Sequence, residues 1–359
     1  MAGRSPRWLR ALALTTAIAL IAAAVGLLLS EVSLGAVGRA LAHARLSWIA
    51  LAFALMMSAF LMRALSWQQV LRAALPRMRL PMGAIIRAAM IGVMGSAIFP
   101  GRLGEPARAV ILARRLPGRT APLLPLVAGT MLSQTVMNLI ALALLALVTF
   151  SSVSVFAGHE SGLYAAALVA AIAVVALALA PRLLRALARS RRPRAARAAA
   201  LAERILALAR RGMVVFARPR HALPALAAQL SAWALQWLAC YAVLLALALG
   251  AHNGLVAAAA VLLAVNVSAI LPPTPSNVGI FQAACLVVLA AFGVSAAHAL
   301  AYGFALQAVE LLTALLMGAP ALVGEGMSWR EVRSAALAQR QAMEQAPGSA
   351  GGDPSADLA

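Results

Sequence analysis

Nine apolar stretches, separated by polar or basic segments, restrict what this chain can fold into. A helix needs about 20 predominantly apolar residues to cross the hydrocarbon layer of a membrane. Of the 359 residues, 64% are hydrophobic and 11% are charged, which excludes a soluble enzyme, a disordered regulator and a disulfide-stapled secreted domain. We therefore predict an all-α polytopic membrane bundle. The apolar stretches are about 11–29, 48–67, 83–99, 123–149, 163–180, 222–249, 254–271, 278–293 and 296–323.

Six of these stretches are long enough for full spans, and the other three lie beside breaks rich in proline and glycine. The first stretch follows three arginines and resembles a signal peptide. It is long for the apolar part of such a peptide, and no small-residue cleavage site follows it closely, so we interpret it as an uncleaved span. The six predicted spans are 11–29, 48–67, 123–149, 163–180, 222–249 and 296–323.

The basic residues predict the orientation of the chain. The net charge is +20, and all 30 basic residues are arginine. A soluble protein of this charge would suggest nucleic acid, but these arginines lie mainly between apolar stretches, which is typical of loops that orient a membrane protein. Segment 182–220 contains twelve arginines and one acid and is expected to be cytoplasmic, whereas 150–162 and 250–253 contain no arginine and are expected outside. Arg39 and Arg45 alone fall in a connection that should be external.

The arginine-rich region between the second and third predicted spans indicates a re-entrant hairpin. Span 48–67 ends inside and span 123–149 begins inside, so the residues between them enter and leave from the cytoplasmic face. The return from Pro106 to Arg115 has about ten residues, or ~15 Å of helix, which is half of a bilayer. We infer that the tip lies near mid-membrane; it reads Pro100-Gly101-Arg102-Leu103-Gly104-Glu105.

A second hairpin, formed by 254–271 and 278–293, is expected to enter from the opposite face, as full spans or as re-entrant pieces. Its tip runs from Pro272 to Gly279, and Ser-Ala-Ile precedes both tips. Two such elements of opposite direction predict an inverted-repeat transporter with a midplane site. The expected halves, about 1–150 and 160–325, form a single domain over 1–325. A cytoplasmic tail follows over 326–359, disordered toward its end.

The charged residues of the first tip favour an anion, with phosphate as the obvious ligand. Arg102 and Arg108 each lie three residues from Glu105, so one helical turn can pair them. The positive end of the returning helix would point at the midplane beside two guanidiniums. An alternative places this tip in an interfacial cytoplasmic loop that contacts lipid phosphates non-specifically. Ser276 or Asn277 is expected to cap the returning helix of the second hairpin.

Glu310 lies in the middle of a predicted span, and we expect it to be either the partner of Arg102 or a proton-coupling site. The predicted substrate-binding residues are Pro100, Gly101, Arg102, Gly104, Glu105, Arg108, Pro275, Asn277, Gly279, Gln282 and Glu310.

Uncharged polar residues within the spans are expected to form hydrogen bonds between helices; they are Gln134, Asn138, Gln236, Asn266, Gln282 and Gln307. Tryptophans near span ends are interpreted as interfacial anchors; they are Trp48, Trp67, Trp233, Trp237 and Trp329. No metal or cofactor site is expected, because the cysteines and histidines lack ligand spacing.

At these residues the chain resembles the membrane region of lysylphosphatidylglycerol synthases, which also occurs in stand-alone flippase-like proteins. The matching features are Arg63 with Trp67, the Pro100-to-Glu105 motif with Arg108, and Leu271-Pro-Pro-Thr-Pro275 to Gly279. The resemblance covers roughly 10–325 and implies a membrane protein that handles phospholipids or lipid-linked precursors. Where this family usually carries a downstream glutamate, the chain has Gln282.

Our leading hypothesis is a lipid flippase or transporter for an anionic or phosphate-bearing headgroup, in the plasma membrane with both termini cytoplasmic. The synthases that the chain resembles need a large cytosolic catalytic domain, and about 36 residues follow the last span, so we expect no enzyme activity. The alternatives are an intramembrane transferase and a non-transporting scaffold or partner subunit. Membrane lipids, but no nucleic acid, are the expected partners, together with a soluble synthase or glycosyltransferase; the oligomeric state is left open.

Overall fold

The computed structural model describes residues 34–98, 104–116, 120–152, 213–250, 253–269 and 277–326. In these ranges the chain is helical and contains no strand, which confirms the predicted all-α membrane bundle. The helices are α1 (Leu34–Ala42), α2 (Leu46–Ala74), α3 (Met82–Ile98), α4 (Gly104–Arg115), α5 (Thr120–Ser152), a 3₁₀ helix (Met213–Ala217), α6 (Pro219–Ala246), α7 (Gly254–Ser268), α8 (Ile280–Ala291) and α9 (Ala296–Gly324).

Four of these helices are long and apolar enough to cross a membrane: α2, α5 over Leu126–Phe150, α6 and α9. They coincide with four of the six predicted spans. The three stretches predicted to be interrupted are the shorter apolar helices α3, α7 and α8. The remaining predicted spans, 11–29 and 163–180, lie outside the described residues, as do most of the arginine-rich loop and the tail from 327 onward.

The outer faces of the long helices are covered with large apolar side chains. On α5, exposed leucines recur along one side, at positions 132, 139, 144 and 147. A water-soluble protein rarely exposes contiguous apolar surface on this scale, whereas lipid tails solvate it without cost. The described residues therefore form a multi-pass bundle whose outside is suited to lipid.

The contacts at the helix ends fix how the long helices run relative to one another. The amide of Arg45, before α2, donates to the carbonyl of Ala246 at the end of α6 at 2.9 Å. At the other end, Arg218 donates to the carbonyl of Ala73 at 3.0 Å. Because Arg45 and His298 line one cavity, α9 begins where α2 begins. Helices α2 and α9 thus run in the same direction, and α6 is antiparallel to both, as the predicted spans require.

The first hairpin, α3 and α4, is held together by very close backbone packing. A Cβ on Gly104 would lie 1.9 Å from the carbonyl oxygen of Gly92, and a Cβ on Gly95 would lie 3.0 Å from the Cα of Gly104. Only glycine permits this approach between the two helices. The helix α4 has 12 residues, or ~18 Å at 1.5 Å per residue, which is too short to cross a bilayer.

Both open ends of this hairpin lie beside the end of α9. Glu325 follows α9, and its buried carboxylate forms ion pairs with Arg87 near the start of α3 and Arg115 at the end of α4. Since one carboxylate holds both helices, the hairpin enters and leaves on the same side of the molecule.

The second hairpin, α7 and α8, packs on α9 through α8, nearer to the beginning of α9. A Cβ on Gly303 would lie 3.3 Å from the Cα of Gln282, and the Gln282 amide donates to Gln307 at 2.5 Å. Helix α8 ends at Ala291, a few residues before α9 begins. The second hairpin therefore occupies the half of α9 that the first hairpin leaves uncovered.

Candidate functional site

The two hairpins approach the centre of α9 from opposite ends. A Cβ on Gly318 would lie 2.4 Å from the Cβ of Met94 on α3, which marks the contact of the first hairpin. The bond between Gln282 and Gln307 marks the contact of the second. Glu310 lies on α9 between these two contacts. The structure thus places the predicted intramembrane acid between the contacts that the two hairpins make with α9.

Glu310 belongs to a polar cluster that joins three of the long helices. It is the central residue of the 29-residue α9, and it hydrogen-bonds to the side chain of Gln236 on α6. The Gln236 oxygen in turn accepts a hydrogen bond from Nη2 of Arg63 on α2. Because a carboxylate can only accept, the Gln236 amide must donate to Glu310. One glutamine therefore bridges a cation and an anion, and the charge of Arg63 acts on Glu310 directly.

Two further contacts hold Arg63 in this cluster. Its guanidinium carbon lies 5.9 Å from the ring centre of Trp233 on α6, within the range of a cation–π interaction. Its backbone carbonyl accepts a hydrogen bond from Gln134 on α5 at 3.1 Å. Gln236 and Trp233 thus hold the guanidinium within an apolar bundle, where an isolated charge is unfavourable, and Gln134 ties the backbone of α2 to α5.

A second charged cluster lies on the first hairpin. Nη2 of Arg108 lies 2.6 Å from Oε2 of Glu105, so the predicted pairing across one turn of α4 is confirmed. The Arg108 guanidinium also lies 4.9 Å from the ring centre of Trp67. Trp67 is fully buried, and its Nε1 donates to Thr130 on α5 at 3.0 Å. A buried aromatic ring therefore supports a guanidinium that is itself 14% exposed.

Helix α2 connects the two clusters. Arg63 and Trp67 lie one turn apart on the same face of α2, which is ~6 Å along the axis. The first contacts α6, and the second contacts Arg108 of the hairpin. The charged cluster of the hairpin and the cluster of the spans thus adjoin along one face of α2.

The second tip is capped differently from the prediction. The amide of Gly279 donates to Oε1 of Gln282 at 2.7 Å, so the cap comes from the third residue of α8. Asn277 adopts a left-handed conformation, with φ of 54°, and does not cap. It lies three residues before the helix begins at Ile280, too far from the first turn to reach its free amides. Ser276, the other predicted cap, lies outside the described residues.

The structure brings together some of the predicted site residues and separates others. Glu105 and Arg108 share one cluster, with Gly104 at the hairpin contact, and Glu310 lies in the adjoining cluster. Gln282 and Gly279 belong to the second tip and bond to α9 or to each other. Four predicted residues lie outside the described part of the chain: Pro100, Gly101, Arg102 and Pro275. Glu310 therefore has Arg63 and Gln236 as its described neighbours, and its expected pairing with Arg102 stays a prediction.

Two of the tryptophans interpreted as interfacial anchors are interior residues. Trp67 is fully buried and Trp233 is 8% exposed, and each ring faces a guanidinium. The prediction was wrong because α2 continues to Ala74, seven residues beyond the apolar stretch, which moves Trp67 away from the helix end. The spacing of Arg63 and Trp67, four residues apart, was the signal that could have identified this face.

Most of the uncharged polar residues bond between helices, as expected. Asn138 on α5 accepts hydrogen bonds from Gln229 and Trp233 on α6, and Gln282 bonds Gln307. Asn266 differs, since its amide donates to the carbonyl of Leu262 in its own helix at 2.8 Å. These bonds pin the helices around the charged region.

The described residues contain no group of three histidine, cysteine or acidic side chains that could hold a metal ion. What the site offers instead is two guanidiniums backed by tryptophan rings, two carboxylates and several amides. Guanidinium groups bind phosphate and carboxylate through paired hydrogen bonds. The arrangement is therefore suited to binding an anion.

A bundle of long apolar helices with two shorter hairpins and an interior charged region defines a polytopic membrane protein. The chain belongs to the family described as the lysylphosphatidylglycerol synthase TM region, whose family model matches residues 14–318. This confirms the resemblance seen in the sequence. A search of the curated proteins finds no match to the chain.

Proposed function

We propose that the protein is a lipid flippase or transporter that moves a phosphate-bearing lipid headgroup across the membrane. The observation that carries this proposal is the cluster of Arg63, Gln236 and Glu310, which joins three long apolar helices and lies between the contacts of the two hairpins on α9.

The energetic cost of these charges supports a functional role. Placing an arginine or an acid at the centre of a membrane helix costs roughly 2.5–3.5 kcal/mol each on insertion scales. Apolar side chains of similar volume would stabilise a purely structural bundle as well or better. The charges of Arg63 and Glu310 are therefore best explained by a ligand that needs them.

The first hairpin supplies the group best suited to contact a phosphate. Nε of Arg108 is buried and has no hydrogen-bond partner among the described residues, and its Nη2 is paired with Glu105. The Glu105 side chain is 50% exposed, so an incoming phosphate can displace it and take over the guanidinium. Glu105 would then act as a competitor that releases the headgroup when it pairs with Arg108 again.

The opposite directions of the two hairpins along α9 support an inverted repeat with alternating access. We further propose that the side bearing Arg87 and Arg115 is the cytoplasmic side of the plasma membrane, because other exposed arginines of the described residues lie at the same end: Arg77, Arg79 and Arg114. Both termini would then be cytoplasmic. The proposed partners are anionic membrane lipids and a soluble synthase or glycosyltransferase, and no catalytic role is proposed for the chain itself.

The proposal is tested by headgroup translocation in proteoliposomes with a fluorescently labelled phosphatidylglycerol. Arg108→Gln and Glu310→Gln should slow translocation by about tenfold or more, as expected when a charge-assisted hydrogen bond is lost. The matched control is Arg77→Gln, which removes a guanidinium from an exposed turn and should leave the rate unchanged. Wild-type rates in both site variants, with the protein folded, would refute transport through this region and favour a scaffold.

A further inference from the structure

A basic cavity lies at the opposite end of the molecule from Glu325. It is open, has a volume of about 410 Å³, and lies where α1 and α6 end and α2 and α9 begin. Four basic or titratable side chains line it: Arg39, His43, Arg45 and His298. No acidic residue is among the residues that line it. The cavity is within the size range of small-molecule sites, roughly 300–1,000 Å³.

The two arginines of this cavity have no carboxylate to neutralise them among the described residues. That part of the chain contains three acids, and each is engaged elsewhere: Glu105 with Arg108, Glu310 with Gln236, and Glu325 with Arg87 and Arg115. All of these acids lie at the interior cluster or at the far end of α9. The cavity therefore carries a concentrated positive charge that calls for an anion from outside this region.

The groups of the cavity are held in place by neighbouring hydrogen bonds. The amide of Arg45 donates to the carbonyl of Ala246 at 2.9 Å. Nδ1 of His43 lies 2.8 Å from the carbonyl oxygen of Arg39, and Nδ1 of His298 lies 2.9 Å from Oγ of Ser295. The Arg45 bond joins the start of α2 to the end of α6. The two histidine bonds are local, at the end of α1 and the start of α9, and each orients one imidazole ring.

Two exposed leucines lie close in sequence to the arginines that line the cavity. Leu46, next to Arg45, is 80% exposed, and Leu41, next to the arginine-bearing turn of α1, is 36% exposed. An exposed leucine beside a guanidinium matches a molecule with a charged head and a hydrocarbon chain. Arg39 and Arg45 are also the two arginines in a connection expected to be external, so the positive-inside rule does not explain them.

We infer that this cavity is a binding site for a phosphate-bearing anion and that the phosphate is supplied by a lipid headgroup. The arginines hold the phosphate oxygens, and the leucines contact the acyl chain. The site is distinct from the interior region around Arg108 and requires no translocation, so it can exist whether or not the protein transports lipid.

The test is a binding titration of the full chain in detergent with short-chain phosphatidylglycerol. The double variant Arg39→Gln/Arg45→Gln should weaken binding by about tenfold, as expected for the loss of two exposed charge pairs. The matched control is Arg77→Gln/Arg79→Gln, which removes the same charge from the other end of the bundle and should bind as wild type. Arg45→Lys, which keeps the charge, should bind more tightly than Arg45→Gln.

Inorganic phosphate as a competitor separates the two sources of the anion. Weak competition by phosphate supports a lipid headgroup, whereas competition at similar concentrations shows that free phosphate suffices and overturns the lipid assignment. Equal weakening in both double variants would show that the lipid is attracted by charge in general and would overturn the site. Unchanged binding in the Arg39→Gln/Arg45→Gln variant would also overturn it. Because the readout is binding, it is independent of the translocation assay.

Discussion

Arg87 on α3 and Glu325 beyond the end of α9 are joined by a 2.6 Å ion pair between Nε and Oε1. The second oxygen of the same carboxylate accepts a hydrogen bond from Nε of Arg115. Glu325 is 2% exposed, although the two arginines are about half exposed. A single buried carboxylate therefore anchors both helices of the first hairpin to the last long helix.

The ion pair between Arg115 and Glu325 should contribute measurably to the stability of the protein. We expect Arg115→Ala to lower the free energy of unfolding by ~1–2 kcal/mol, because it leaves half of a buried carboxylate unpaired. Arg114→Ala is the matched control, since Arg114 is the exposed neighbour on α4 and should change stability by less than about 0.5 kcal/mol. Chemical unfolding in detergent measures both values. Equal effects in the two variants would show that the ion pair is not a structural anchor.

Because the two helices of the first hairpin pack closely, adding a single methyl group at Gly104 should strongly reduce the stability of the protein. Gly104→Ala would place a Cβ 1.9 Å from the Gly92 carbonyl oxygen and 2.4 Å from the Ser96 amide nitrogen. Both are backbone atoms, so the helices must separate, and we expect a loss of at least about 2 kcal/mol. Gly38→Ala on α1 meets nothing within 4 Å and should stabilise the protein by ~0.5–1 kcal/mol. A tolerated Gly104→Ala in thermal unfolding would show that the two helices do not pack as described.

Gln236, which bridges Arg63 and Glu310, predicts that two glutamine substitutions of similar cost in stability will differ in their effect on the translocation rate. Gln236→Met keeps the side-chain length but removes the hydrogen bonds to Arg63 and Glu310, so it should destabilise the protein by ~1–3 kcal/mol. It should also slow headgroup translocation, because both charges lose their common partner. Gln229→Met on the same helix removes a bond to Asn138 outside the charged cluster. It should cost similar stability and leave translocation intact, and equal slowing in both variants would contradict a role for the cluster.

Much of the helical organisation could be predicted from the sequence. Long apolar runs gave four spans that coincide with α2, α5, α6 and α9, because a bilayer dictates their length. The short return to Arg115 identified α4 as too brief to span, and spacing identified the Glu105–Arg108 pair. These are properties of a segment by itself, which is why they could be predicted without a partner.

The contacts between distant segments could not be predicted in the same way. Arg63 and Gln236 are separated by 173 positions, and nothing in either local sequence selects the other. Glu325 lies at the end of an apolar span, where an acid would ordinarily face water, and its burial depends on two arginines from another part of the chain. Such pairings depend on how the helices pack, which the period of apolar residues does not determine.

The direction and depth of the hairpin can be tested by cysteine labelling in sealed vesicles. The native Cys240 and Cys285 are fully buried, so the folded wild-type protein should react little with a membrane-impermeant maleimide. Arg45→Cys and Arg77→Cys lie at opposite ends of the bundle and should be labelled from opposite faces, with position 77 on the cytoplasmic side. Glu105→Cys should react more slowly than either, because the proposed depth of the hairpin tip, near the middle of the membrane, keeps position 105 away from bulk water. Labelling of position 105 as fast as position 77 would place the hairpin tip in bulk solvent and remove the basis for a midplane headgroup site.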